Sequence, residues 1–170
     1  MEESTELDKY WFLRLFTGKR PRRSVKTSFM RQWATQISEV PDWLFQESYL
    51  AVGDLAETIS LILPLKTEAR GLDVSLRSLF EAIVTLRSVS LEEQRALVVG
   101  YWSKLDGTAL FLFNKLLTGN LRVGVSRKLL VKAVAQYLES SEPEVEHRLM
   151  GKWSPFEETM DSLFQGDLQE

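Results

Sequence analysis

Residues 116–126 have the residue types of an anion-binding loop. They read Leu-Leu-Thr-Gly-Asn-Leu-Arg-Val-Gly-Val-Ser and lie between two segments with helical apolar spacing. The glycines permit close approach of a ligand to the backbone, and the guanidinium of Arg122 can donate paired hydrogen bonds to it. Ser126 is suited to cap the following helix. The N–H groups and the dipole at that helix start favour an anion. Because residues 107–138 contain no acid, the stretch predicts phosphate binding.

A second arrangement of the same kind lies near the N-terminus. Leu15-Phe16-Thr17-Gly18 corresponds to Leu116-Leu117-Thr118-Gly119. A loop, a capping hydroxyl residue (Ser24 or Ser126) and a basic amphipathic segment follow in each case. We therefore predict an internal repeat of two helical half-domains, related by approximate two-fold symmetry. Phosphate contacts carry no base identity, so the binding is expected to be independent of sequence.

The net charge of −3 hides a strong segregation of charge. Residues 9–38 contain eight basic residues and no acid, and residues 107–138 contain five basic residues and no acid. The remainder of the chain is therefore strongly acidic. A solvated basic helix is the alternative explanation for either stretch taken alone. Two stretches with matching loops favour a polyanion as the partner.

The composition excludes several classes of site. No cysteine is present, so disulfides and thiolate metal sites are impossible, and the single histidine, His147, disfavours a histidine zinc site or a Ser-His-Asp triad. The sequence lacks a long apolar run and a secretion leader, which disfavours a membrane protein and predicts a cytoplasmic one. With 44% hydrophobic and 26% charged residues in 170, we expect one globular domain.

Lys104-Leu105-Asp106-Gly107 matches Lys-x-Asp-Gly, the nucleotidyl-lysine motif of ligases and capping enzymes. In those enzymes the lysine projects from a strand into a nucleotide pocket and attacks an α-phosphate. Here the four residues end a helical segment, 91–105, and no β-rich region surrounds them. We therefore predict a turn that ends the helix, and no catalytic residue in this chain.

The apolar periodicity predicts an all-α fold, a single compact multi-helix domain. The predicted helices cover residues 27–38, 44–52, 55–63, 75–89, 91–105, 110–117, 129–138, 145–150 and 156–164. Capping boxes are expected at Ser90 with Glu93 and at Ser154 with Glu157, and an Asp variant at Asp54 with Glu57. Helix ends are expected at Gly18, Gly53, Gly119 and Gly151. Residues 1–8 are expected to be a disordered acidic leader, 9–165 the helical DNA-binding domain, and 166–170 a tail. The half-domains are placed at about 9–65 and 107–165, with helices at 75–105 between them.

Several segments resemble the N-terminal DNA-binding domain of bacterial ATP-dependent DNA ligases. They are Val-Pro-Asp-Trp-Leu-Phe-Gln-Glu-Ser-Tyr (40–49), Val-Gly-Asp-Leu-Ala-Glu-Thr (52–58), Phe-Asn-Lys-Leu-Leu-Thr-Gly (113–119), Leu-Arg-Val-Gly-Val-Ser (121–126) and His-Arg-Leu-Met-Gly-Lys-Trp (147–153). The resemblance implies a helical domain that grips the minor groove of duplex DNA around a nick. It also implies that a nucleotidyltransferase domain and an oligonucleotide-binding fold follow, so we expect this chain to be part of a longer enzyme. The resemblance also implies opening helices before residue 8, and we expect these to be missing or replaced by the short acidic leader.

The loop chemistry and the resemblance together give the expected DNA-binding residues. They are Lys19, Arg20, Arg22, Arg23, Gly53, Asp54, Lys115, Gly119, Asn120, Arg122, Gly124, Ser126, Arg127 and Lys128. Asp54 is favoured more as a helix cap than as a contact. No metal or cofactor is expected in this part of the protein, while ATP and Mg²⁺ are expected for the parent enzyme. The expected partner is nicked duplex DNA bound by a monomer; the alternative is a helical scaffold that binds an acidic protein.

Overall fold

The computed structural model describes residues 6–17, 23–64, 74–119, 121 and 124–150. Within these residues there are nine α-helices and no strand, which confirms the predicted all-α fold. The helices are α1 (Glu6–Phe16), α2 (Thr27–Ser38), α3 (Asp42–Val52), α4 (Leu55–Ile62), α5 (Leu76–Thr85), α6 (Leu91–Trp102), α7 (Gly107–Thr118), α8 (Arg127–Leu138) and α9 (Glu142–Met150). None of these helices is long and apolar enough to cross a membrane.

The predicted helices are present, but several of their ends differ. α2 has the predicted bounds, whereas α7, α8 and α9 begin two or three residues earlier than predicted. The reason is that apolar spacing marks residues facing the core, while the first turn of a helix carries polar residues. The predicted helix at 156–164, the capping box at Ser154 and the helix ends at Gly18 and Gly151 lie outside the described residues.

The first helix corrects the predicted leader. α1 begins at Glu6, so residues 6–8 are helical rather than part of a disordered segment. The acidic residues that favoured a solvated leader are also favourable in a first helical turn, where carboxylates complement the dipole. Trp11, Leu13 and Leu15 of this helix are buried.

Local capping signals predicted the helix ends correctly at several positions. Ser90 accepts a hydrogen bond from the N–H of Glu93 at 3.3 Å, and the N–H of Ser90 donates to the Glu93 carboxylate at 2.8 Å, which completes a capping box. Gly53 and Gly119 end α3 and α7 with φ of 76° and 70°, a conformation that L side chains rarely adopt. Each of these ends depends on neighbours within a few residues.

The chain divides into two compact units. The larger comprises residues 21–121 and the smaller comprises residues 1–20 with 122–170. This division differs from the half-domains placed at 9–65 and 107–165, since α7 belongs with α4 and α1 belongs with α8 and α9. The expected two-fold relation between half-domains stays a prediction.

A buried amide connects three helices of the larger unit. Asn114 of α7 is fully buried; its Oδ1 accepts from the indole Nε1 of Trp102 at 2.7 Å, and its Nδ2 donates to Ser60 Oγ at 3.0 Å. These bonds satisfy polar groups whose burial without partners would cost about 1–3 kcal/mol each. Ile59, Phe80, Ile83, Phe113 and Leu117 form much of the surrounding apolar core. The network therefore fixes how α4, α6 and α7 meet.

In the smaller unit, α8 and α9 pack against each other through one apolar side each. α8 buries Leu130, Val131, Val134 and Ala135, and α9 buries Val145 and Leu149. Tyr137, near the end of α8, accepts a 3.5 Å hydrogen bond from Lys9 Nζ of α1. The opposite side of α8 is exposed to solvent and carries the basic residues.

Candidate nucleic-acid interface

Residues distant in sequence meet at the last turns of α7. The Arg23 guanidinium donates to the carbonyl of Thr118 at 3.3 Å, and Lys115 Nζ lies 2.5 Å from Asp54 Oδ2. Carbonyl groups at a helix end lack helical partners, and a nearby cation also complements the dipole there. The structure therefore brings Arg23, Asp54 and Lys115, three of the predicted site residues, to the end of α7 at Gly119.

Asp54 is held by both of its carboxylate oxygens. Oδ1 accepts the N–H of Glu57 at 3.0 Å, as expected of the residue that caps α4, and Oδ2 pairs with Lys115. Burial by itself raises the pKa of Asp54. The hydrogen bond and charge of Lys115, with the N–H groups of Glu57 and Ala56, outweigh burial and leave the pKa below its usual value.

The ion pair gives Lys115 a role inside the fold. Its side chain is only 17% exposed, its charge is compensated by Asp54, and its Nζ lies 5.3 Å from the centroid of the Phe111 ring. The sequence predicted Lys115 as a DNA-binding residue and did not indicate this pairing with Asp54. The paired Lys115 and Asp54 hold the corner at Gly53 against α7. Their part in DNA binding stays a prediction.

The first turn of α8 carries basic side chains, and the dipole at a helix N-terminus already favours anions there. Ser126 accepts the N–H of Leu129 at 3.2 Å and so caps the helix, while Arg127 and Lys128 in the first turn are exposed. The first turns of α6 and α9 instead contain Glu92, Glu93, Glu142 and Glu144. Basic residues at a helix N-terminus are unfavourable by some tenths of a kcal/mol each. An external phosphate would relieve that cost.

The described residues include only part of the predicted site. Lys19, Arg20, Arg22, Asn120 and Arg122 lie outside them. Gly119 belongs to the larger compact unit and Ser126 to the smaller one. Gly124 is exposed next to the α8 start.

Lys104 lies in the connection between α6 and α7 and is exposed. Asp106 occupies the N-cap position of α7 and Gly107 begins that helix, so the Asp-Gly pair starts a helix instead of ending one as predicted. The prediction failed because Asp-Gly marks a change of chain direction without indicating which helix it belongs to. Among the described residues, no three His, Asp or Glu side chains are grouped so that they could hold a metal ion.

The family model described as DNA ligase N terminus matches residues 2–135. The chain belongs to this family. The match confirms the expected N-terminal domain of an ATP-dependent DNA ligase; that the ligase is bacterial stays a prediction. No curated protein and no solved structure matches the chain. The matched range includes every predicted DNA-binding residue of this ligase domain.

The Asp54–Lys115 pair makes a testable contribution to the stability of the ligase domain. Asp54→Asn keeps an oxygen that can cap α4 but removes the charge, so we expect the free energy of unfolding at pH 7 to fall by about 1–3 kcal/mol. Because the folded pKa is lowered, the stabilisation is present above the unfolded pKa and disappears as the pH falls through the folded value. Urea denaturation from pH 7 down to pH 3 measures both effects.

Asp106→Asn is the matched control, since Asp106 also occupies an N-cap position but its side chain makes no capping hydrogen bond. It should change the unfolding free energy little at any pH. A loss in Asp54→Asn that stayed constant between pH 7 and pH 3 would contradict a stabilising charge on Asp54.

Proposed function

We propose that this ligase domain binds duplex DNA around a nick, through the minor groove and the phosphate backbone and without sequence preference. It is a non-catalytic domain that holds both sides of the nick as a monomer. The catalytic domains lie in the same protein, where ATP and Mg²⁺ act, and the enzyme works in the cytoplasm in DNA repair, replication or recombination. The observation that carries the proposal is the basic start of α8 in an acid-free stretch of a DNA ligase family member.

The proposed contacts come from two basic stretches and the glycine corners between helices. Exposed Arg127 and Lys128, beside the N–H groups at the α8 start, form a strong anion site by charge and dipole together. Arg23 is also exposed, and it contributes positive charge near Gly119. Lys19, Arg20, Arg22, Asn120 and Arg122 are proposed contacts on the basis of the sequence alone.

Gly124 supports a close approach by a molecule outside the chain. Its φ lies outside the left-handed region, and a Cβ added there would meet no atom of the described residues within 4 Å. Neither the backbone conformation nor packing against the described residues therefore requires glycine at this position. A phosphate or sugar brought against the backbone would require it, as glycine permits such contact.

Titration at low salt tests the function directly. Labelled nicked duplex, intact duplex of the same sequence, a nicked duplex of unrelated sequence and an acidic peptide are each followed by fluorescence anisotropy. We expect the two nicked duplexes to bind equally, more tightly than intact duplex, with log K falling linearly with log salt by about 0.9 per phosphate contacted. Binding of the peptide without binding of any duplex would contradict the proposal and favour the protein scaffold.

Gly124→Ala separates a binding role from a folding role. Alanine has fewer backbone conformations than glycine in the unfolded chain, so the substitution should raise the free energy of unfolding by about 0.4–1 kcal/mol. The added methyl group should displace a charge-assisted contact with the DNA and so weaken duplex binding about tenfold. Urea denaturation and the same anisotropy titration measure the two changes.

Gly100→Ala is the control for this substitution. Gly100 lies within α6, its φ is also outside the left-handed region, and an added Cβ would meet nothing within 4 Å in the part of the chain that the structure describes, apart from its own helix backbone. It should stabilise the fold and leave duplex affinity unchanged. Equal DNA affinities of wild type and Gly124→Ala would contradict a close approach at Gly124.

A further inference from the structure

The solvent-exposed side of α8 combines cations with an exposed leucine. Lys128, Leu129, Lys132, Ala133 and Gln136 are all exposed, while the opposite side of the helix is buried. Leu129 lies between Lys128 and Lys132 and is 58% exposed. This surface, defined by those five residues, is called the α8 surface below. It contains no acid that would repel a polyanion.

Three other exposed large apolar residues of the described chain have acidic neighbours, whereas exposed Tyr137 of α8 already accepts a hydrogen bond from Lys9 of α1. Trp43 follows Asp42, Leu50 lies one helical turn after Glu47, and Leu91 precedes Glu92. Carboxylates at these positions repel phosphates, so those residues do not suit contact with DNA. The contrast makes Leu129 the candidate for an apolar contact within a basic surface.

The charges of the α8 surface are arranged unfavourably for an isolated helix. Lys128 and Lys132 are one turn apart, and like charges at this spacing destabilise a helix by about 0.2–0.5 kcal/mol. Lys128 also lies in the first turn, where the dipole disfavours a cation. A polyanion near the surface would remove both penalties, whereas an apolar or cationic protein partner would not. The charges therefore favour an anionic occupant, and membership of the DNA ligase family makes a nucleic acid the occupant we choose.

We propose that the α8 surface lies over the minor groove of duplex DNA, with Leu129 in contact with the deoxyribose wall and Lys128 and Lys132 at phosphates. This inference rests on the proposed function and assigns the residue that makes the apolar part of the contact. An α-helix is about 10–12 Å across and the minor groove only about 6 Å wide, so the helix stays outside and side chains reach in. Apolar side chains are a recurring means of contact in that groove.

An apolar contact and a phosphate contact differ in how they respond to salt. A lysine at a phosphate releases counterions, so its loss lowers the slope of log K against log salt by about one unit. Burial of a leucine side chain releases none, and its loss weakens binding equally at every salt concentration. The salt slope therefore distinguishes the role of Leu129 from that of its neighbours.

The test is a salt-dependent titration of nicked duplex with four variants of the ligase domain. Leu129→Ala should weaken binding about three- to tenfold, the effect of the lost apolar burial, with an unchanged salt slope. Leu129→Met, which keeps the apolar area, should bind nearly as wild type. Lys128→Ala should reduce the slope by about one unit. Leu91→Ala is the matched control, because Leu91 is an exposed leucine at the start of another serine-capped helix, and it should bind as wild type.

Different results would overturn the apolar contact of Leu129 and the proposed DNA binding. Wild-type affinity of Leu129→Ala beside a reduced slope of Lys128→Ala would overturn the apolar contact and leave the proposed function standing. A reduced slope in Leu129→Ala would also overturn it, because the leucine would then act through charged groups. An absence of duplex binding by the wild-type protein at low salt would overturn the proposed function itself.

Discussion

The packing of α4 against α7 is the constraint on which the geometry of the larger unit depends. Adjacent residues of α7 make two different polar contacts with α4: Asn114 bonds Ser60 in the core, and Lys115 pairs with Asp54 at the helix start. The first contact satisfies buried amide groups and the second fixes the glycine corner between α3 and α4. Removal of either partner would leave a polar or charged group without its counterpart, which is costly where water is excluded. The position of α7, and of Gly119 at its end, therefore depends on both.

Local signals in the sequence predicted most of the helices, but they did not predict contacts between residues distant in the sequence. The caps at Ser90, Asp54 and Gly119 depend on neighbours a few residues away, so composition and spacing were sufficient. The pairing of Lys115 with Asp54 arises only when α4 and α7 meet. Leu129 shows a related limit: it began the predicted helix as an apolar residue, yet the core of α8 starts at Leu130 and Leu129 is exposed. Periodicity counts an apolar residue without indicating whether it is buried.

The described helix starts differ in their electrostatics. α6 and α9 carry glutamates in their first turns and are stabilised by the dipole, whereas α8 carries Arg127 and Lys128 and is not. α5 also carries a cation in its first turn, but that residue, Arg77, pairs with Glu81 at 2.6 Å. The first turn of α8 instead lies in an acid-free stretch, where its cations are proposed to attract phosphates. This difference is the physical basis for assigning the proposed DNA contact to α8.

Hydrogen exchange of the whole chain with and without nicked duplex tests the central claim most directly. The account predicts slower amide exchange at residues 124–132 and around Arg23 when DNA is bound, with no change in α3, whose exposed surface carries Asp42 and Glu47. Because amide protection reports on the segments that contact or are stabilised by the ligand, it locates the interface without a substitution. Protection confined to α3, with exchange at the start of α8 unchanged, would contradict the account.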